Sequence, residues 1–203
     1  MTAGRTNQKE RTRTAIVRAA RDLMTSGAEL TMSLVAAKAL VSEATAYRYF
    51  PDLASLLAEA FTGLWPTPAE SLAPMAHVID PTERIAHATE TLLRDVHAYQ
   101  GAVRAMIAAA ITHPDANPKR PGRRFGLIDE ALAPIAATAD RATFEQLKRD
   151  LAIVISAEAF FNLTDFCGLT PEAAIASVVH TARTLTAATI GTWRPPLISR
   201  RSE

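Results

Sequence analysis

Residues 35–50 read VAAKALVSEATAYRYF, a pattern that predicts two short helices joined by a tight turn. Val35, Ala36, Ala39 and Val41 are spaced so that one helix can pack on the other. Ser42 stands where a helix N-cap belongs, because its hydroxyl can accept a hydrogen bond from a backbone N–H of the next turn. The segment therefore predicts a helix-turn-helix.

The second of these helices carries an outer face made of side chains that form hydrogen bonds. A helix held by apolar packing, with a polar outer face, is the element that enters the DNA major groove in helix-turn-helix proteins. We therefore expect this face to contact DNA. Its members are Glu43, Thr45, Tyr47, Arg48 and Tyr49.

The composition predicts an all-helical protein. Of the 203 residues, 48% are hydrophobic, which is enough for a core, and no alternating strand pattern persists. The apolar periodicity predicts about nine helices, and Gly27 is expected to end the first of them. The nine cover residues 8–25, 31–39, 43–49, 53–64, 82–100, 102–112, 125–138, 141–166 and 171–193.

Prolines between residues 65 and 81 interrupt any long helix and mark a boundary between two functional parts. We therefore expect residues 1–64 to form a DNA-binding domain and residues 65–203 to form a larger helical domain. Residues 113–124, with three prolines and four basic residues, are expected to form a surface loop. The tail from residue 194 is expected to be loose.

The charge distribution is more informative than the net charge of +1. Before residue 22 the chain has six basic residues and one acid, Glu10, so this segment could neutralise phosphates. The alternative is a solvated, disordered tail. The basic residues are Arg5, Lys9, Arg11, Arg13, Arg18 and Arg21.

The single cysteine, Cys167, excludes a disulfide within one chain and is typical of a reducing cytoplasm. No uncharged run reaches the roughly 18 residues that a membrane span needs. The N-terminus has no apolar segment of the kind that follows the basic residues of a secretory signal.

Residues 11–61 resemble the DNA-binding domain of the tetracycline-repressor (TetR) family of bacterial transcription regulators. The order and spacing of the matching residues agree throughout, and the resemblance covers about a quarter of the chain. The matching residues are Ala19, Ala20, Gly27, Thr31, Val35, Ala36, Val41, Ser42, Thr45, Tyr47, Arg48, Tyr49 and Phe50.

Two residues depart from the family pattern. Leu40 stands in the turn where the family has glycine, and a left-handed backbone there would cost a leucine roughly 1 kcal/mol or more. Either the turn is adjusted, or Leu40 packs well enough to offset the strain. Leu53 replaces a lysine that the family directs at a phosphate at the start of its fourth helix, so one backbone contact is expected to be missing.

The resemblance implies a role for each residue of the interface. Tyr47 and Tyr49 are expected to contact phosphates, although one tyrosine could instead pack its ring, and Phe50 belongs to the core. Ala44 and Thr45 face the groove. Glu43 could accept from a cytosine amino group or only interact with the helix dipole. Arg11 and Arg13 are expected to contact phosphates or an adjacent minor groove. The other expected backbone contacts are Thr31, Ser33 and Ser42, of which Ser42 is first a helix cap, and Arg48 lies on the same polar face.

The resemblance also implies that the C-terminal domain binds a small effector and dimerises through its last two helices. Apolar groups around Phe160 and along residues 175–185 exceed what one small core needs, unless the monomer consumes both faces. A hydrophobic ligand is expected in a pocket between helices. Candidate pocket residues are Trp65, His97, Tyr99, Arg104, His113, Phe160, Asn162, Asp165 and Cys167.

Together with the single cysteine, the resemblance implies a cytoplasmic homodimer that binds a palindromic operator, usually as a repressor, and is released by its ligand. The histidines have no metal-ligand spacing, so we expect no metal and no cofactor. A helical enzyme is the alternative, but none of the eight glycines forms a phosphate-binding loop. A protein-interaction module that has lost DNA binding is the other alternative.

Overall fold

The computed structural model describes residues 2–25, 29–112 and 122–192, and this part of the chain contains α-helices and no strands. The predicted all-α fold is therefore confirmed. Short 3₁₀ turns follow α5 and α8, and a π-helical turn covers Asn162–Phe166. The α-helices are α1 (Thr2–Met24), α2 (Met32–Lys38), α3 (Glu43–Tyr49), α4 (Leu53–Phe61), α5 (Pro68–Leu72), α6 (Pro81–Ala98), α7 (Gln100–Thr112), α8 (Arg123–Leu132), α9 (Arg141–Val154), α10 (Ala157–Phe161) and α11 (Pro171–Gly191).

Side-chain caps stand at the helix starts that the sequence predicts around the turn. The Thr31 hydroxyl accepts from the Leu34 N–H at 3.2 Å, and the Ser42 hydroxyl accepts from the Thr45 N–H at 3.2 Å. Asp52 caps α4 in the same way, with Oδ1 2.7 Å from the backbone nitrogen of Ser55. These predicted starts are confirmed, and each cap satisfies an N–H that has no partner within its helix.

Two differences explain why the described chain has eleven α-helices where about nine are predicted. The proline-rich segment forms the short helix α5, because Thr67 and Glu70 cap it reciprocally. The Thr67 backbone N–H and then its hydroxyl hold the pKa of Glu70 below its usual value. The predicted helix 141–166 breaks at Ile155, whose ψ of 74° leaves the helical region before Ser156 caps α10.

Several predicted features lie outside the described residues. They are the helix stop at Gly27, most of the surface loop predicted over residues 113–124, and the tail from residue 194.

The chain divides into two compact units. Unit 1 comprises Met1–Trp65 and Val96–Pro121, and unit 2 comprises Pro66–Asp95 and Gly122–Glu203. The first break along the chain lies within a residue of the predicted boundary at residue 64. Unit 1 also takes in residues 96–121, which the sequence analysis assigned to the C-terminal domain. Its core is therefore larger than a helix-turn-helix alone would have.

Unit 1 is built around the apolar stripe of α1. Ile16 and Ala20, four residues apart on one side of α1, are fully buried, and α4 and α7 pack against this stripe. The turn helices join the same core through one side of each helix. The buried members are Ile16, Ala19, Ala20, Met24, Leu30, Met32, Val35, Ala36, Ala46, Phe50, Leu56, Leu57, Ala60, Phe61, Ala102 and Met106.

Unit 2 buries a charged residue that the sequence analysis did not identify. Arg84 on α6 is only 5% exposed, and its guanidinium donates to the carbonyls of Met75 at 2.7 Å, Glu130 at 2.7 Å and Ala131 at 3.0 Å. Carbonyls at helix ends have no partner within their own helix. These bonds therefore satisfy the carbonyls and, at the same time, the donors of the buried guanidinium. Arg84 thereby ties α6 to the end of α8 and to the turn after α5.

Leu40 adopts the left-handed backbone for which glycine is favoured. Its φ is +57°, and 92% of its surface is exposed. Both expectations for this residue are therefore wrong, since the turn is not adjusted and the side chain does not pack. The turn geometry is fixed instead by its backbone hydrogen bonds. Leu40 N donates to Ala37 O at 3.1 Å, and Val41 N donates to Ala36 O at 3.0 Å.

Leu40→Gly is expected to raise the free energy of unfolding by about 0.5–1 kcal/mol. Removing the side chain relieves about 1–2 kcal/mol of left-handed strain, and the extra entropy of an unfolded glycine offsets part of this gain. Urea unfolding followed by circular dichroism measures the difference. Ala39→Gly is the matched control, because Ala39 has a right-handed φ of −79° and should lose stability. If both variants lost the same free energy of unfolding, Leu40 would not be strained by its left-handed backbone.

Candidate nucleic-acid interface

The helix-turn-helix exposes one side of α3 and buries the other. Ala46 is fully buried in the core of unit 1, and Phe50, directly after the helix, is 2% exposed, as predicted. These two residues anchor α3 at its middle and its end. The opposite side of the helix, with its cap, is open to solvent. The exposed residues are Ser42, Glu43, Ala44, Tyr47 and Arg48, and Thr45 is partly exposed beside them.

The start of α3 is joined to α2 by a side-chain hydrogen bond. The Ser33 hydroxyl donates to Oε2 of Glu43 at 2.7 Å, and both residues are exposed. Ser42 and Thr45 also share a hydrogen bond between their hydroxyls, at 2.8 Å. The polar groups at this end of the surface therefore hold one another, which reduces the number of orientations that each can adopt.

The two tyrosines have different environments. Tyr47 is 47% exposed, whereas Tyr49 is half-buried and its ring packs on the core of unit 1. The guanidinium of Arg48 lies 5.7 Å from the centre of the Tyr49 ring, within range of a cation–π contact. Tyr49 is thus the tyrosine that packs its ring, and Tyr47 is the more exposed of the two.

Arg13 ties α1 to the end of α3 and to α4. Its Nε donates to Oε1 of Glu59 at 3.0 Å, and a second guanidinium nitrogen forms an ion pair with the same carboxylate. Nη1 donates to the carbonyl of Tyr49 at 3.4 Å, and the guanidinium lies 4.5 Å from the centre of the Phe50 ring. The structure therefore engages Arg13 within unit 1, whereas the resemblance implies a contact with DNA.

The other expected backbone contacts lie at the surface of unit 1. Arg11 is exposed on α1, Ser33 is exposed on α2, and Thr31 is partly exposed while its hydroxyl caps α2. Leu53, which replaces the lysine of the family pattern, is partly buried against the core. At this position the chain therefore adds apolar packing where the family pattern has a phosphate contact.

The comparisons with known proteins agree with this geometry. Residues 16–60 match the family model described as bacterial regulatory proteins, tetR family. The N-terminal domain is that of a tetR-family regulator. The match extends from the buried stripe of α1 to the end of α4, so it includes all of α2 and α3. The protein is accordingly a DNA-binding transcriptional regulator. No curated protein and no solved structure matches the chain.

The candidate ligand residues fall into two groups, one in each compact unit. Within unit 1, the Trp65 ring stacks on Phe61 at 4.6 Å, and Tyr99 meets Trp65 edge-on at 5.8 Å. These aromatic rings pack together at the edge of the tetR-family domain, and His97 and Arg104 belong to the same unit. In unit 2, Phe160 is buried, while Asn162, Asp165 and Cys167 are exposed. His113 lies outside the described residues.

Each unit has a groove of about 420 Å³ in its described part. The groove in unit 1 lies between residues 29–30 and α7, and Arg104 is the only predicted pocket residue that lines it. The groove in unit 2 lies between α6 and α11, and its apolar wall is Ile175, Ala176 and Val179. Its polar residues are Glu90, Arg94, Glu172, His180 and Arg183, none of which the sequence analysis selected.

The part of the chain that the structure describes contains no group of three or more His, Cys, Asp or Glu side chains that could hold a metal ion. None of the described helices is both long and apolar enough to cross a membrane.

Arg13→Ala is expected to lower the free energy of unfolding by about 1–2 kcal/mol. The variant loses a half-exposed ion pair, a hydrogen bond to a carbonyl and a cation–π contact, each of which contributes about 1 kcal/mol or less. Chemical denaturation measures the change. Arg11→Ala, which removes an exposed arginine of the same helix, should change stability by less than about 0.5 kcal/mol. Equal stability of the two variants would exclude the structural role of Arg13.

Proposed function

We propose that this protein is a sequence-specific transcriptional repressor that binds a palindromic operator as a homodimer and leaves it when an effector binds. One observation carries the proposal: α3 is anchored through Ala46 and Phe50 and presents an exposed hydrogen-bonding surface on its other side. A rigid helix of this kind can enter the major groove without rearrangement.

Within this interface, we assign the positioning of the protein on DNA and the selection of bases to different residues. The phosphate backbone would be contacted by Tyr47 and, beside it, by Arg11, Thr31, Ser42, Arg48 and part of the Tyr49 side chain. These contacts would fix the register of the protein on the duplex. Glu43, Ala44 and Thr45, at the start of α3, would meet base edges. A carboxylate only accepts hydrogen bonds, so Glu43 favours the cytosine amino group and is repelled by the acceptors of guanine.

The dimer proposal is supported by the outward side of α11 in unit 2. Ile175, Val178 and Ala182 are buried within the unit, so the monomer consumes that side of the helix. The other side remains exposed and has small side chains at positions 173 and 187. Small residues let two helices approach closely, and a symmetric pair of such helices would form an isologous interface.

The regulatory part of the proposal assigns DNA binding to residues 1–64 and effector binding and dimerisation to residues 65–203. The groove between α6 and α11 supports it, since its volume suits a small molecule with a largely apolar surface. An effector would act by favouring a conformation whose two α3 helices no longer match the groove spacing, with a coupling of about 1–3 kcal/mol. The single cysteine fits a cytoplasmic regulator.

The test of the proposal is binding to DNA from upstream of the protein's own gene, followed by fluorescence anisotropy. We expect tight, salt-sensitive binding by a dimer, and competition only by duplexes that keep the palindrome. If unrelated duplexes of equal length compete as well as the upstream DNA does, the protein has no sequence-specific operator there.

Tyr47→Phe is expected to weaken binding to every duplex by about fivefold, because a hydrogen bond to phosphate contributes about 1 kcal/mol and carries no sequence information. Anisotropy titrations with the best duplex and with an unrelated one measure the change. Tyr49→Phe is the matched control and should have a smaller effect, because its ring is half-buried. Unchanged affinity of Tyr47→Phe at all salt concentrations would show that the phosphate contact is absent.

Ala187→Glu is expected to weaken the dimer by about a hundredfold or more while the protein stays folded. Position 187 is exposed on α11, and the substitution would bring two carboxylates together across a symmetric interface. Sedimentation velocity over a concentration series measures the association. Ala142→Glu, at an exposed position in the first turn of α9, should leave the dimer intact. A wild-type monomer at micromolar concentration would refute the dimer itself.

A further inference from the structure

We propose that Ser33 is a positioning residue for base recognition by Glu43, and not itself a contact to DNA. The inference rests on the proposed function, because it concerns how the same α3 surface selects its operator. It is drawn from the hydrogen bond of 2.7 Å between the Ser33 hydroxyl and Oε2 of Glu43, which connects the two helices across the turn.

Both ends of this hydrogen bond are attached to fixed backbone. Ser33 follows Met32, which is buried in the core, and the cap of Thr31 holds the first turn of α2. Glu43 follows Ser42, whose hydroxyl caps α3. The two helices also pack on each other through the turn. The distance between the Ser33 and Glu43 backbones is therefore determined by the fold of the tetR-family domain.

The hydrogen bond leaves Glu43 able to accept from a base. A carboxylate has two oxygens, and Ser33 donates to only one of them, Oε2. Oε1 can then accept from an exocyclic amino group in the major groove. Because an exposed glutamate otherwise samples many rotamers, a hydroxyl that selects one of them lowers the entropy lost when the base contact forms.

The same bond bears on the expected phosphate contact of Ser33. A serine hydroxyl has a single proton, so it cannot donate to a phosphate while it donates to Glu43. A phosphate contact would also break a bond to a charged acceptor, which is among the stronger hydrogen bonds at a protein surface. The geometry therefore favours a role for Ser33 in selectivity over a role in general affinity.

The experiment is selection from a library of DNA duplexes randomised over 20 base pairs, using the full-length protein and sequencing the bound fraction. Wild type, Ser33→Ala, Ser33→Thr, Glu43→Ala and the double variant Ser33→Ala/Glu43→Ala are compared. Lys38→Ala is the matched control, since it changes another exposed side chain of α2. Circular dichroism confirms that each variant is folded.

We expect Glu43→Ala to lose its base preference at one or two positions of each half-site. Ser33→Ala should reduce the preference at the same positions by about threefold to tenfold, and Ser33→Thr, which keeps the hydroxyl, should retain it. In the double variant, the loss of Ser33 should add nothing to the loss of Glu43. Lys38→Ala should leave the preferences unchanged.

Three results would overturn the proposal, and they identify which part fails. If Ser33→Ala keeps the full preference while Glu43→Ala loses it, Ser33 does not position Glu43. If Ser33→Ala weakens all sequences equally, the residue contacts phosphate. If Glu43→Ala keeps the wild-type preferences, Glu43 does not read a base. Failure of the wild-type protein to enrich any sequence would instead refute the proposed function, and the role of Ser33 with it.

Discussion

The placement of α3 is reinforced by Arg13, which links the end of that helix to α1 and α4. This residue of α1 reaches Glu59 on α4, the carbonyl of Tyr49 at the end of α3, and the face of the Phe50 ring. A planar guanidinium can make these contacts together because its donors diverge in one plane while its faces remain free. Arg13 thereby adds polar links between α1, the end of α3 and α4, whose apolar sides pack in one core.

This constraint matters because the two turn helices are short. Each has seven residues, which is below the length at which an isolated helix is stable in water. Their stability must come from caps and from packing on α1 and α4. The left-handed backbone of Leu40 is likewise held by its surroundings, since the hydrogen bonds of the turn determine its conformation.

Much of the helix-turn-helix could be predicted from local chemistry. Caps at Thr31, Ser42 and Asp52 are read from neighbouring residues, and the burial of Ile16, Ala20 and Phe50 follows from the spacing of apolar positions. The same reasoning could not find the partners of Arg13, Ser33 or Arg84. Their acceptors lie between 6 and 47 residues away, and nothing in the pattern of an arginine or serine indicates whether it points outward.

The sequence by itself therefore determined the helical class, the helix-turn-helix and the polar outer side of its second helix, because periodicity and capping act over a few residues. Only the tertiary structure decided which polar side chains remain available on that surface. It engages Arg13 within unit 1, joins Ser33 to Glu43, and brings residues 96–121 into the first unit. These outcomes depend on distances between residues far apart in the chain, which the packing of whole helices determines.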